Sequence, residues 1–354
     1  MSSRTRPRTS FHPLTVRQVE PLTEDSAAIT FAVPGDLAET FAFAAGQSLT
    51  IRRGDQRRSY SICAPATAPL RIGVREVADG MVSGWLVRDL KAGDTIDVQA
   101  PSGTFTPDLS RPGRHVLIAA GSGITPMMSI AASVLAADDT STVTLLYGNR
   151  RSDTVMFADE VADLKDAYPA RMHIVHVLSR EPQEVELHSG RLDRDRLTRL
   201  LPQTVNVAAV DHWWLCGPYG MVTDATGVLT GLGVAAARIH RELFWVGDVR
   251  PAEATHEEPP AGDGASVTIV LDGRSSTLTL PPATTILDGA QKVRPDLPFA
   301  CKGGVCGTCR ARVTRGEAAM RRNYALDQAE VAAGYVLTCQ TVPTSDEITV
   351  DYDA

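Results

Sequence analysis

The sequence predicts a multidomain chain, with an antiparallel β-barrel first, an α/β domain with a parallel sheet second, and a small α+β domain last. Three observations predict this order. Short alternating or β-branched segments broken by Pro and Gly fill the first hundred or so residues. Strands and helices then alternate, and a stretch rich in Pro, Glu and Gly precedes a final block with four of the six cysteines. The predicted boundaries are residues 9–110, 111–248, a linker at 249–264, and 265–354.

Each block is predicted from its own segments. The barrel rests on strand candidates at 14–19, 28–33 and 70–75. The α/β domain rests on strands at 115–120, 143–147, 173–178 and 212–216, separated by helical stretches such as 126–135 and 158–167. Such an alternation implies a parallel sheet with helices on both faces. The last block opens with strands at 267–271 and 276–280 and a short helix near 285–292.

Composition excludes some classes of function. The formal net charge of −7 argues against nucleic acid as a partner. No apolar run is long enough to span a bilayer, which predicts no membrane partner. Residues 1–10 are polar and Arg-rich without the apolar stretch of a secretory signal, so we expect a disordered tail and a cytoplasmic protein. Metal ligation is then a better expectation for the cysteines than disulfides.

The cysteine pattern is the strongest signal. Cys301, Cys306 and Cys309 form C-x4-C-x2-C, and Cys339 follows downstream. This is the spacing of plant-type [2Fe–2S] ferredoxins, in which four thiolates hold two irons. A zinc site usually has two C-x2-C pairs, and only one is present. The block resembles β-grasp ferredoxin domains over nearly its whole length.

Five arginines lie near these cysteines in sequence: Arg310, Arg312, Arg315, Arg321 and Arg322. They have two interpretations, a docking face for an acidic partner or a solvated arginine-rich surface.

A second motif lies at the end of a first-block strand. Tyr60 offers a flat apolar contact, Ser61 a hydrogen-bond donor, and Arg58 a fork for a pyrophosphate, which are the needs of a flavin. The string Arg58-Ser59-Tyr60-Ser61 resembles the R-x-Y-S motif of the ferredoxin–NADP reductase family. Gly80, Val82 and Ser83 resemble its G-x-x-S phosphate motif at a helix start, which favours FAD over FMN. Arg75 precedes that motif and is assigned either to the flavin edge or to a structural role.

The nucleotide side is predicted from turns at strand ends. Gly121, Gly123, Thr125 and Pro126 resemble the G-x-G-x-T-P motif of ferredoxin reductases, where glycines expose backbone N–H groups to phosphates. Cys216-Gly217-Pro218 resembles the C-G-P turn of the family, which borders the nicotinamide. Glu242 and Phe244 fall where the family carries residues beside the stacked rings. The resemblance therefore implies Tyr60, Ser61 and Glu242 as catalytic residues.

The choice of nucleotide is predicted from Ser179-Arg180-Glu181. This string resembles the segment in NADPH-using relatives whose serine and arginine hold the 2′-phosphate, and Arg150 and Arg151 are placed to assist. A dianionic phosphate needs such cations and NADH does not. We therefore expect NADPH, with NADH as the alternative.

The order of the three blocks resembles the reductase components of bacterial oxygenases. Strings at 58–63, 146–151, 178–181 and 334–340 are similar to those of reductase subunits of phenylacetyl-CoA epoxidase complexes. The resemblance implies hydride transfer from NADPH to FAD, then single electrons through the [2Fe–2S] cluster to a di-iron oxygenase component. Two alternatives stay open, an NADH-dependent reductase of a Rieske-type aromatic or steroid hydroxylase and a cluster-bearing redox sensor.

Overall fold

The structure is a computed structural model that describes residues 10–54, 56–245, 264–326 and 328–354. The predicted tail before Ser10 and the predicted linker before Gly264 lie outside the described residues. Among the helices in the described ranges, none is both long and apolar enough to cross a bilayer.

The first sheet has six strands in the order β4-β3-β6-β1-β2-β5. An isolated antiparallel bridge between Ile62, just after β4, and Ile72 on β5 joins its two edges. This closure confirms the antiparallel barrel, whose interior is filled by buried side chains such as Leu14, Ile51 and Leu86. Its elements are β1 (Phe11–Thr23), β2 (Ser26–Ala32), β3 (Ser48–Arg53), β4 (Gln56–Ser61), β5 (Arg71–Arg75), α1 (Met81–Arg88) and β6 (Thr95–Gln99).

The second sheet has five parallel strands in the order β11-β10-β7-β8-β9. Two separate buried clusters, one around Met127 and Tyr147 and one around Leu197 and Trp213, pack on the sheet and its helices. The parallel α/β prediction is confirmed. The elements are β7 (Arg114–Ala120), α2 (Ile124–Ala137), β8 (Thr142–Asn149), α3 (Ala158–Ala167), β9 (Met172–Leu178), α4 (Arg194–Thr204), β10 (His212–Pro218), α5 (Tyr219–Gly231) and β11 (Ile239–Trp245).

The last block forms a five-stranded mixed sheet in the order β13-β12-β18-β14-β16 and a two-stranded sheet of β15 and β17. Its first helix is shorter than the predicted 285–292 stretch, because Thr285 caps it by accepting from Asp288 N and the helix ends at Ala290. The elements are β12 (Ala265–Leu271), β13 (Arg274–Leu280), α6 (Ile286–Ala290), β14 (Arg310–Arg315), β15 (Ala318–Met320), α7 (Gln328–Ala332), β16 (Tyr335–Leu337), β17 (Thr341–Pro343) and β18 (Glu347–Asp351).

Specific polar contacts join the barrel to the parallel-sheet domain. Arg71 on β5 donates to both carboxylate oxygens of Glu160 on α3, each at 2.8 Å. Ser129 Oγ on α2 donates to the Ala64 carbonyl at 2.6 Å. These bonds hold the two domains in one relative position, so side chains from both can form a single site.

Candidate functional site

The nucleotide turns meet at the carboxyl ends of β7 and β10, where ligands of open α/β sheets usually bind. The two strands are neighbours, with Cys216 opposite Ala119. A Cβ on Gly123 would lie 2.2 Å from the Cys216 carbonyl oxygen, so only glycine lets the turns approach this closely. The structure thus brings the predicted 121–126 and 216–218 motifs together.

The turn after β7 is held in shape by hydroxyl groups. Thr125 Oγ1 donates to the Ser122 carbonyl at 3.0 Å, and the Tyr147 hydroxyl donates to the Gly121 carbonyl at 3.1 Å. Pro126 occupies the first turn of α2, where its missing N–H leaves no helical bond unmade. The turn therefore presents the amino end of a 14-residue helix, which suits the phosphates of a dinucleotide.

Three side chains from different strands converge beside this turn. Glu242 on β11 lies opposite Cys216 on β10 in the parallel register. Ser61, at the end of β4 and 3% exposed, donates its hydroxyl to Glu242 Oε2 at 3.2 Å. The Cys216 thiol reaches the same oxygen at 4.0 Å. The structure brings these three predicted residues into one group.

The environment of Glu242 alters its acidity. The residue as a whole is only half-buried, but its carboxyl group is surrounded by protein. Burial raises the pKa of this carboxyl to about 7, against a smaller opposing effect of the Ser61 hydrogen bond. Burial also raises the pKa of the Cys216 thiol, so the thiol stays protonated. A carboxyl with a pKa near neutrality can both accept and return a proton.

The predicted phosphate motif of the barrel lies at the start of α1. Gly80 is the N-cap, and Val82 is buried in the helix. Ser83 Oγ accepts from Val77 N at 3.1 Å and donates to the Gly80 carbonyl at 3.2 Å. The serine therefore shapes the helix start, and the amino end of the helix is the feature that suits an anion.

Sequence reasoning missed a cation at the same helix. Arg53 on β3 donates to the Met81 carbonyl at 3.1 Å, and its guanidinium lies 4.6 Å from the centre of the Trp85 ring. The motif directed attention to Arg58, which is exposed and donates to the Arg57 carbonyl at 2.7 Å. The only sequence signal for Arg53 was a basic pair at the end of a strand.

Several other predicted cofactor residues have defined surroundings. Tyr60, next to Ser59 on β4, packs against the barrel core, and Phe244 packs against the buried cluster under α2. Arg75 donates to Asp25 at 3.1 Å and to the Thr154 carbonyl at 2.6 Å. Those contacts give Arg75 a joining role between barrel and parallel sheet, and its contact with a flavin stays a prediction.

Two exposed arginines lie side by side after β8 and β9. Ser179 N donates to the Asn149 carbonyl at 2.9 Å, and Arg180 N donates to the Arg150 carbonyl at 2.8 Å. Both arginine side chains are exposed, and neither has an ion pair among the residues that the structure describes. They form a site where a dianion would find two uncommitted cations.

Their neighbour Arg151 differs. It donates to both carboxylate oxygens of Asp153, at 3.0 Å for one of them. Glu181, next in sequence to Arg180, accepts from the Ser152 backbone N–H at 2.8 Å. Arg151 and Glu181 therefore stabilise the loop, and Arg150 is the better placed of the two assisting arginines.

The four predicted cluster cysteines form two hydrogen-bonded pairs. Cys301 pairs with Cys306, and Cys309 pairs with Cys339. The bond from Cys306 and then backbone N–H groups lower the pKa of the Cys301 thiol to about 5, despite its burial. In the described part of the chain, no three His, Cys, Asp or Glu side chains are grouped to hold a single ion. Two thiol pairs fit a centre with two irons, each taking two thiolates.

Neighbouring groups shape the cluster loop. Gly304 has φ +78, and a Cβ there would lie 3.1 Å from both the Arg322 carbonyl oxygen and Gln340 Cγ. Gln340 Nε2 donates to the Lys302 carbonyl at 2.7 Å. Thr338 N donates to the Cys309 carbonyl at 3.1 Å. The segment with the fourth cysteine is thus bonded to the loop that carries the other three.

Comparison with protein families matches all three blocks. Residues 13–106 match the oxidoreductase FAD-binding domain, residues 117–227 the oxidoreductase NAD-binding domain, and residues 269–344 the 2Fe-2S iron-sulfur cluster binding domain. The cofactor prediction of FAD, a nicotinamide nucleotide and a [2Fe–2S] cluster is confirmed at this level.

Whole-length relatives are also found. The chain is 40% identical to one subunit of the 1,2-phenylacetyl-CoA epoxidase of Escherichia coli K12, over 98% of this chain and 99% of that protein. It is 34% identical to the ferredoxin reductase component of the 3-ketosteroid-9-alpha-monooxygenase of Rhodococcus rhodochrous, over 96% of each chain.

A solved structure has the same modular fold. Phthalate dioxygenase reductase aligns with a TM-score of 0.60 and 24% identity, covering 96% of this chain and 98% of that one. The three blocks, the whole-length relatives and the shared architecture agree. The chain therefore belongs to the family of flavin-dependent NAD(P)H–iron–sulfur oxidoreductases that serve as reductase components of oxygenase systems.

Proposed function

We propose that this chain takes hydride from NADPH and passes single electrons to the oxygenase component of a phenylacetyl-CoA epoxidase. The observation that carries the proposal is 40% identity over nearly the whole length of the E. coli epoxidase subunit. A di-iron acceptor and a role in phenylacetate catabolism are parts of the same proposal. A cytoplasmic location stays a prediction, which the six free cysteines fit.

The residues present fit the implied cofactors. FAD supplies the conversion from hydride to single electrons, and a [2Fe–2S] cluster on the four cysteines supplies one-electron transfer. Tyr60 offers the apolar face for the flavin ring, and Arg58 and the amino end of α1 offer positive charge for its pyrophosphate. The amino end of α2 and the Cys216–Pro218 turn receive the nucleotide.

Ser61 and Glu242 are assigned a proton relay. The Ser61 hydroxyl donates to Glu242 Oε2 while its own oxygen can accept a proton from the side of the ring site. If a flavin were bound beside Tyr60, its oxidation would supply a proton that Ser61 and Glu242 could take up. Glu242 must be ionised to accept it, so we expect the step to speed up as pH rises through about 7, the pKa of this carboxyl.

The uncommitted pair Arg150 and Arg180 supports NADPH. Their backbones are joined by a 2.8 Å hydrogen bond, so both side chains begin at one point of the sheet edge. Charge-assisted bonds to a 2′-phosphate would distinguish NADPH from NADH.

Anaerobic titration tests the electron path. Purified protein is titrated with NADPH and with NADH while the flavin and cluster absorbance bands are followed together. NADPH is expected to bleach both bands. If neither nucleotide bleaches the flavin, the hydride assignment is wrong, and if the flavin alone is bleached, the relay to the cluster is wrong.

Steady-state kinetics test the nucleotide choice. Arg180→Ala is expected to raise the KM for NADPH about tenfold or more, the equivalent of one lost charge-assisted bond, and to leave the KM for NADH unchanged. Arg151→Ala is the matched control, since that arginine is already paired with Asp153. Equal effects on both nucleotides would remove the argument for NADPH.

A second candidate is the reductase of a Rieske-type steroid hydroxylase. The 34% identity to the 3-ketosteroid-9-alpha-monooxygenase component favours it. The reduced protein can be offered oxygenase components of both kinds, each with its substrate, while nucleotide oxidation is measured. Substrate-dependent oxidation is expected only with the phenylacetyl-CoA epoxidase component.

A further inference from the structure

Two exposed arginines that are adjacent in sequence lie beside the cluster loop. We propose that Arg321 and Arg322 form the contact by which this domain docks an acidic surface of the oxygenase component. The inference rests on the proposed exit of electrons through the cluster. It narrows the five sequence-predicted arginines to two and assigns them a partner of defined charge.

The segment around the cluster is strongly basic, although the whole chain has a formal net charge of −7. Residues 301–325 contain six cations and one acid, Glu317, which leaves a formal surplus of five positive charges. The cations are Lys302, Arg310, Arg312, Arg315, Arg321 and Arg322. Such a concentration of one sign produces a field that attracts an acidic partner.

Three of these six cations are neutralised by ion pairs within the domain, and a fourth, Arg312, has its guanidinium 5.9 Å from the centre of the Tyr335 ring. Lys302, Arg310 and Arg315 form ion pairs of 2.8–3.2 Å, and Arg312 donates to a backbone carbonyl at 3.0 Å. Lys302 pairs with Asp288, Arg310 with Glu330 and Arg315 with Glu347. Arg312 donates to the Ala333 carbonyl. Arg321 donates to the carbonyl of Ala283, and neither it nor Arg322 has an ion pair among the described residues.

The same two arginines are attached to the cluster-binding segments. Arg321 N donates at 2.7 Å to the carbonyl of Gln340, the residue after Cys339. The Arg322 carbonyl oxygen lies 3.1 Å from the position of a Cβ on Gly304, inside the loop that carries the other cysteines. Both arginine residues are exposed. The backbone of both residues therefore lies against the segments that carry the cysteines, through which electrons are proposed to leave.

The physical role follows from position and charge. A partner that receives an electron must approach the cluster rim, because transfer requires close contact. Two unneutralised guanidinium groups there favour a carboxylate-rich surface and repel a basic one. Exposed charges are screened over about 8 Å at physiological ionic strength, so the attraction weakens as salt is added.

Binding to two haem proteins of opposite charge tests the proposal. Full-length protein with both cofactors is measured against acidic cytochrome b5 and basic cytochrome c by biolayer interferometry, without nucleotide. The variants are Arg322→Glu and the double Arg321→Glu/Arg322→Glu. The control is Arg315→Glu, which changes the charge by the same amount as Arg322→Glu. Arg315 lies at the far end of β14, about 15 Å along the strand from the end next to Cys309.

The double variant is expected to weaken binding of cytochrome b5 at least tenfold at low salt and to strengthen binding of cytochrome c. Arg322→Glu alone should show a smaller change of the same sign, and Arg315→Glu less again. Visible absorbance of the cluster and NADPH-dependent ferricyanide reduction, which reports the flavin, should stay as in the unaltered chain.

Two results would overturn the docking proposal: unchanged cytochrome b5 binding in the double variant, or an equal loss in Arg315→Glu. Failure of the proposed electron path would give a different result. Nucleotide would then fail to bleach the flavin or cluster band of the unaltered chain, whereas binding is measured without nucleotide and does not depend on that path. An effect on cytochrome b5 that does not depend on salt would also contradict a charge-based contact.

Discussion

The predicted cluster site and the proposed hydride site are built in opposite ways. Three of the four cluster cysteines lie within the nine residues 301–309, so one loop places most of the ligands. The hydride site takes Ser61 from the barrel and Cys216 and Glu242 from adjacent parallel strands, with Ser61 and Glu242 separated by 181 residues. One site depends on local chain geometry, and the other depends on how two domains pack.

The largest effect is expected from replacing Cys339, the one predicted cluster ligand that lies outside the 301–309 loop. Cys339→Ser leaves three thiolates, so we expect loss of the bound iron and at least a hundredfold loss of electron transfer to cytochrome c. NADPH-dependent reduction of ferricyanide should persist, because the hydride site does not use this loop. Iron and acid-labile sulfide analysis measures the first effect and steady-state kinetics the second.

Cys63→Ser is the control. Cys63 is a buried thiol that donates to the Arg71 carbonyl, and it is not one of the four predicted cluster cysteines. Its iron content should match that of the unaltered chain. A full cluster with an unaltered absorbance spectrum in Cys339→Ser would show that Cys339 is not a ligand.

Glu242→Gln tests the proposed proton relay at the hydride site. We expect electron flow from NADPH to cytochrome c to fall about 10–100-fold, since a positioned acid–base group contributes on that order or more. The rise of rate with pH through about 7 should vanish, because glutamine does not titrate. Stopped-flow absorbance across pH 6–8 measures both. Glu39→Gln, an exposed change in the barrel, should leave the profile unaltered.

The same carboxyl predicts a stability change with a definite sign. Its pKa of about 7 lies above its ordinary value of 4.5, so the folded chain holds a proton that the unfolded chain releases. That contribution to the free energy of unfolding is full below about pH 4.5 and is lost as pH rises through 7. In denaturant titrations, Glu242→Gln should lack this part of the pH dependence, and an identical dependence would contradict the assignment.

Gly123→Ala tests whether close packing of the two nucleotide turns is essential. The added Cβ would lie 2.2 Å from the Cys216 carbonyl oxygen, so backbone must shift. We expect a loss of about 1–3 kcal/mol in the free energy of unfolding, as in overpacked cores, together with weaker nucleotide binding. The control is Gly231→Ala at the end of α5, where an added Cβ would have no atom within 4 Å. It should change neither the free energy of unfolding nor nucleotide binding measurably. Equal losses in Gly123→Ala and Gly231→Ala would show that the close approach of the two turns limits neither stability nor nucleotide binding.

The smallest expected effect concerns the contact between barrel and parallel sheet. Arg71→Gln removes a guanidinium group that donates to both carboxylate oxygens of Glu160 and to one of Glu20. We expect the free energy of unfolding to fall by about 1–2 kcal/mol. The rate of flavin reduction should fall as well, whereas iron content should not. Arg199→Gln, which breaks exposed ion pairs with Glu186 and Asp195, should change stability by less than about 0.5 kcal/mol.

Local motifs explain why so much of the molecule was predictable. Cysteine spacing, the Gly-rich turn after a buried strand and the alternation of strands and helices are all readable within a few residues. Strands β3 and β6 and the contact of Arg53 with α1 were not, because short strands without strong alternation carry weak signals. Arg71 and Glu160 lie 89 residues apart, and nothing in either neighbourhood points to the other.

The three-domain order, the spacing of the four cysteines and the residue types of both nucleotide turns could be predicted from sequence, because each depends on short-range patterns. Tertiary structure alone decided that Ser61, Cys216 and Glu242 meet, and that the buried carboxyl has a pKa near neutrality. It also separated Arg321 and Arg322 from the arginines that are already paired. These contacts and this pKa depend on which distant side chains pack together and on how far water is excluded from them. Neither can be predicted from a short stretch of sequence.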